Sequence, residues 1–160
     1  MPFPRIDIVQ HYRWTGTPHA ALFARLLDLL KDVWRVRRAV VDATGVGAGV
    51  AGFLETALGK SVVVPFTFTQ ASKSRLGFDL LAAINAGRLK MYVEDGSQES
   101  GEFWFEAARA RSTFRPNQTM SFYLDPSTGH DDFLSSLALL VEAARYMPRS
   151  ARGRIRQEAA

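Results

Sequence analysis

The sequence contains no cysteine, which excludes disulfides and thiolate zinc sites outright. Histidine is scarce: His11, His19 and His130 are too scattered for a histidine-rich metal site. Any metal must therefore be held mainly by carboxylates, and oxygen donors favour hard cations such as Mg²⁺ or Mn²⁺. No apolar run approaches the roughly 18 residues that a membrane span needs. The opening MPFPRIDIVQ has no apolar core of signal-peptide length. The expectation is a cytoplasmic protein with no membrane partner. Charge of one sign is only mildly in excess, with Lys+Arg 20 against Asp+Glu 16, so composition gives mild support for a polyanionic partner.

What is present suffices for a core. Hydrophobic residues make up 47% of the 160, enough for a single domain, expected over residues 1–147. Beyond it, residues 148–160 form a basic tail in which Arg149, Arg152, Arg154 and Arg156 face one acid, Glu158. Such a tail reads as a flexible end or as a binding arm.

The apolar pattern switches repeatedly between periods of two and 3.6. Alternation over 5–14 predicts a strand. After Thr15-Gly16-Thr17-Pro18, residues 19–34 place Leu22, Phe23, Leu26, Leu27, Leu30 and Trp34 on an amphipathic helix. A short buried strand is expected over 38–43, then a glycine loop opening a helix to Leu58, then a β-rich run over 61–69. A helix over 74–85, a strand over 89–93, a helix over 98–111 and a hairpin of 112–115 with 119–124 follow. The last helix, 131–146, is apolar on most of its surface and should be buried. Alternating strands and helices without repeat or long linker indicate one α/β domain.

Three places carry chemistry. Asp42 ends the strand over 38–43, at the carboxyl end where open α/β sheets collect ligands; it serves equally as a cap for the glycine loop. That loop, Gly47-Ala48-Gly49-Val50-Ala51-Gly52, formally matches a dinucleotide fingerprint. The acid expected about 20 residues later is missing, since the next strand ends Thr67-Phe68-Thr69-Gln70, and no Gly-Lys-Ser/Thr follows the glycines. The glycines are better read as a turn that starts the helix close beside Asp42. Gly129-His130-Asp131-Asp132 opens the last helix. Two acids there suit N-capping and the macrodipole, yet one cap needs only one acid. If that helix docks beside strand 38–43, Asp131 or Asp132 converges with Asp42. Converging carboxylates repel unless cations lie between them, and two such ions are the usual device for phosphodiester hydrolysis.

Three segments, VVDATGVGAGVAGFL, FTFTQASKSRLGFDLLAAINAGRLKMY and GHDDFLSSLALLVEAA, resemble in order and spacing three blocks of the nuclease domain of phage terminase large subunits. The resemblance covers the chain from about Tyr12 to Ala144. It implies an α/β, RNase H-like fold of the RuvC and terminase nuclease type, with a mixed central sheet flanked by helices. It also implies an endonuclease that cuts concatemeric double-stranded DNA with two divalent metals, Mg²⁺ or Mn²⁺, working with the terminase small subunit and portal. By the same resemblance Asp42 matches the second acidic ligand. Asp131 and Asp132 match the final acidic pair, with Asp132 the favoured ligand, and His130 stands beside the site. Lys73 falls where the family often has a lysine near the site; as a residue alone it reads equally as an exposed loop lysine. Arg75, Arg88 and Lys90 are further candidates for a DNA-facing surface, and solvated positions otherwise.

The sequence departs from the family at its start. RIDIVQHYRWTGTPHAAL aligns with the family's third strand and the helix after it. The first two strands, with the first-strand Asp ligand, and the ATPase motor are therefore expected to be absent. Asp7 is the available substitute ligand. In this fold the first strand lies between the third and fourth, so strand 38–43 should present a bare edge and promote self-association. Two other readings follow: a non-catalytic prophage remnant or assembly module with an incomplete metal site, and a junction resolvase on the same fold.

Overall fold

The computed structural model describes residues 5–146; the basic tail expected over 148–160 lies outside the described residues. Strand β1 (Ile6–Asp7) leads through an extended segment to α1 (His19–Asp28), whose last turn widens into a π-helical stretch, Leu29–Val33. Next come β2 (Ala39–Asp42), α2 (Gly47–Leu58), β3 (Val63–Phe66) and α3 (Gln70–Asn85). The chain continues through β4 (Leu89–Lys90), α4 (Gln98–Arg109), the hairpin β5 (Arg111–Phe114) and β6 (Met120–Tyr123), and α5 (Asp132–Arg145).

The resemblance implies one mixed central sheet; the described strands pair two by two, β1 with β4 in parallel, β2 with β3 in parallel, and β5 with β6 antiparallel. The strands are only two to four residues long, and no described strand bridges the β1–β4 and β2–β3 pairs. One edge of β2 therefore has no strand partner among the described residues. The strand predicted over 5–14 is reduced to two residues, since β4 offers it only two rungs, Ile6 opposite Leu89 and Asp7 opposite Lys90.

A shared core draws Ile6 and Ile8 from the first segment and Leu76, Leu80 and Ala83 from α3. Phe103 of α4, Phe122 of β6 and Phe133, Leu134, Leu137, Ala138 and Val141 of α5 complete it. Helix α3 lies so close to the hairpin that a Cβ at Gly77 would stand 2.4 Å from the Met120 methyl and 2.9 Å from the Phe122 ring. The start of α3 is set by a capping box. The Thr69 side chain accepts from Ser72 N, while Ser72 Oγ accepts from Thr69 N. This places the helix start four residues earlier than the apolar pattern suggests and brings Lys73 onto its first turn. Helix α5, as predicted, is buried along most of its length and packs against both α3 and β2.

Candidate active site

Asp42 is the last residue of β2, and its surroundings are built by backbone contacts. Ala43 N donates to Phe66 O, and Thr44 N donates to Asp42 Oδ1 at 2.8 Å, an Asx-type turn. Thr44 Oγ1 accepts from Phe68 N, which ties the turn to the end of β3. Gly45 turns the chain with φ +56°, and α2 begins at Gly47 so tightly that a Cβ there would lie 2.3 Å from the carbonyl oxygen of Asp42. Real Cβ atoms do not tolerate such a contact with backbone. The glycine run thus serves a close approach, as the sequence reading holds.

The acidic pair arrives from the other side. Asp131 is the N-cap residue of α5, but its backbone (φ −108°, ψ 32°) is outside the extended region usual for a capping residue, and its side chain makes no cap hydrogen bond. Its carboxylate lies instead 3.8 Å from Lys73 Nζ. Lys73 is held from below by the Phe122 ring, 5.0 Å from its ammonium to the centroid. Asp132, the first residue of the helix, is exposed.

These residues meet in one open groove of about 670 Å³ between β2 and α5. Asp42, Lys73, Asp131 and Asp132 line it together with Arg38, Ser135 and Ser136. Leu30, Val36, Val40, Leu139 and Leu140 contribute apolar lining. Among the described residues no three His, Asp or Glu side chains stand together as a closed metal-binding group. The donor set is nevertheless all carboxylate oxygen. It suits a cation that keeps several waters and takes one or two protein carboxylates together with substrate phosphates, as Mg²⁺ does.

The other predicted residues lie elsewhere. His130 is exposed and lines a separate small cavity, about 200 Å³, with Arg13, Glu102, Phe105, Glu106 and Gly129. Arg75 turns to α5 and forms a fork with Glu142, at 2.7 and 3.1 Å, and also approaches Asp79. Its guanidinium is engaged by these acids and does not line the groove. Arg88 and Lys90 sit at the β1–β4 pair and do not line the groove. Asp7 is paired with Arg5 at 2.7 Å and does not line it either.

One functional candidate was not evident from sequence. Glu106 of α4 is only 6% exposed, and its Oε2 accepts from Leu134 N at 2.9 Å, at the start of α5. Burial raises its carboxyl above the ordinary range; the backbone N–H groups of Leu134 and Phe133 partly counter this, and the charges of Asp132 and Asp131 add to the rise. The available signal is a glutamate at the i, i+3 spacing of the buried face Ser100–Phe103.

The architecture is that of an α/β protein with carboxylates gathered at the end of a parallel strand pair. Two solved structures are similar in fold, both phage large-terminase nuclease domains. That of Thermus phage P74-26 aligns with TM-score 0.56 at 20% identity, over 79% of this chain and 60% of that one. The nuclease of thermophilic phage G20c, crystallised with bound magnesium, aligns with TM-score 0.58 at 23% identity, over 79% and 62%. The chain thus spans about three fifths of the length of each. No family model and no curated protein matches the sequence.

Proposed function

We propose that the chain is a metal-dependent DNA endonuclease domain, of RNase H-like architecture, from the large subunit of a phage DNA-packaging terminase, acting in the cytoplasm of the host cell. The observation that carries this reading is the meeting of Asp42, Asp131, Asp132 and Lys73 in one groove, on a fold shared with terminase nucleases. Asp42 and Asp132 would hold the divalent cation, Mg²⁺ or Mn²⁺, with Asp131 as second or supporting ligand. When bound, a pair of such ions supplies the nucleophilic water and neutralises charge on the leaving oxygen. The protein's own part is to bring the carboxylates to one groove and to orient the phosphate. Lys73 stands 3.8 Å from Asp131, too long for a tight pair, so its ammonium is available to a phosphate oxygen. Contacts of this kind are salt-sensitive and carry little sequence information. The terminase small subunit and the portal are the expected assembly partners, and the unpaired edge of β2 is the expected surface for self-association.

The test is incubation of supercoiled plasmid with this chain and Mn²⁺, beside Asp42→Ala. Nicking by the unsubstituted chain alone supports the assignment; nicking that survives the substitution removes Asp42 from it. A second reading, a non-catalytic assembly or DNA-binding module, is favoured by the absence of a closed three-carboxylate group among the described residues. It predicts DNA binding by gel shift with no nicking by either protein.

A further inference from the structure

We propose that Glu106 is a positioning residue for the acidic pair: it caps α5 from the neighbouring helix and so leaves the Asp131 and Asp132 carboxylates to the groove. This rests on the metal-site reading above. A helix start exposes N–H donors that have no partner within the helix, and the N-cap side chain usually takes the one at the second or third helical position. In α5 those positions are Phe133 and Leu134, since Asp132 is the first helical residue. Leu134 N donates to Glu106 Oε2 at 2.9 Å, and Phe133 N–H also acts on the same carboxyl. Asp131, at the N-cap position, makes no such bond.

The division of labour has a reason. Were Asp131 to cap the helix, its carboxylate would turn back onto the backbone and away from Lys73 and the groove. Glu106 has what a substitute cap requires. It is buried at 6% exposure, one turn after the core residue Phe103, and its helix packs directly on α5. Its position therefore fixes the height and rotation of the first turn of α5, and with them where Asp132 projects. Partners that orient metal ligands from behind commonly change metal affinity by about 10–100-fold when removed.

The experiment compares Glu106→Ala, Glu106→Gln and Glu106→Asp in the whole chain. Free Mn²⁺ is titrated by electron paramagnetic resonance, and amide hydrogen exchange is followed at Leu134, Leu137 and Val141. Gln keeps an acceptor oxygen at the same reach; Asp keeps the charge but falls one methylene short. The expected result is loss of Leu134 protection and about tenfold weaker Mn²⁺ binding in the Ala and Asp variants. The Gln variant keeps both, and Leu137 and Val141 stay protected in all three. If the Ala variant does not fold, the Gln and Asp variants carry the comparison. Loss of Leu134 protection with unchanged Mn²⁺ affinity overturns the proposal while leaving the metal site intact. A Gln variant that binds Mn²⁺ more weakly than the Asp variant overturns it too, because charge rather than the cap would then matter. An unsubstituted chain that takes up no Mn²⁺ overturns the metal-site reading itself, and the positioning role with it.

Discussion

Helices α3 and α5 meet through two charge clusters that differ in kind. In one, Arg75 forks onto Glu142, which is 4% exposed, and Arg145 and Asp79 close the network at 2.9 Å. Burial pushes the Glu142 carboxyl up, but the hydrogen bonds and charge of Arg75, with Arg145 and Tyr146, outweigh it and leave it below the ordinary range. In the other cluster Lys73 stands 3.8 Å from Asp131, and Asp132 and Asp42 lie exposed along the same groove. Lys73 and Arg75 are two residues apart on one helix, yet only one has spent its charge on the fold. A bidentate pair on a buried carboxylate fixes structure, while a longer, single contact leaves charge for a ligand.

Substitutions should separate the two clusters. The largest effect is expected in the loose one: Asp132→Ala lowers Mn²⁺-dependent nicking at least about a hundredfold, since metal-held charge is worth several kcal/mol in the transition state. Its melting temperature should stay within about 2 °C of the parent. A melting point that collapses with activity would make Asp132 structural and erase the contrast. In the tight cluster, Arg75→Ala strands part of the charge of Glu142 and should cost about 2 kcal/mol, less than a fully buried pair because Arg145 remains. That corresponds to a melting point lower by roughly 6 °C, read by calorimetry, with Mn²⁺ affinity unchanged. Lys73→Ala should leave stability within about 0.5 kcal/mol but reduce the salt dependence of DNA binding by about one phosphate contact.

The smallest effect is a pH dependence that involves neither cluster's charged groups. His11 is stacked on Phe103 at 4.6 Å and bonded to the Tyr92 hydroxyl at 2.9 Å. Burial lowers its pKa, against a smaller rise from Asp95. A lowered histidine pKa means the unfolded chain binds more protons, so this contribution is fully present above the ordinary value near 6.5 and is lost as pH falls below it. Thermal melts from pH 7.5 to 5.0 should show that loss, and His11→Phe should flatten it; an unchanged slope would show that His11 is not its source.

Much of the site was readable from residue types. Asp42 at a strand end, the glycines behind it and the acid pair opening a helix follow from periodicity and turn chemistry, and the 2.3 Å approach at Gly47 gives the glycine run its physical cause. What was not readable depends on pairing between distant segments. Arg75 and Lys73 look alike in QASKSR, and only the packing of α5 decides which one meets a buried glutamate. Asp131 reads as a cap by position, but the cap comes from Glu106, 28 residues away in sequence. The strand over 5–14 alternates well, yet strand length is set by the partner, and β4 supplies two rungs. How the strands pair was not readable either: period two marks extended backbone without saying what lies beside it.

The most direct measurement is an anomalous difference map from crystals of the chain soaked in Mn²⁺. The account predicts a peak in the groove, coordinated by Asp42 and Asp132. A peak elsewhere, or an empty groove at millimolar Mn²⁺, would contradict it.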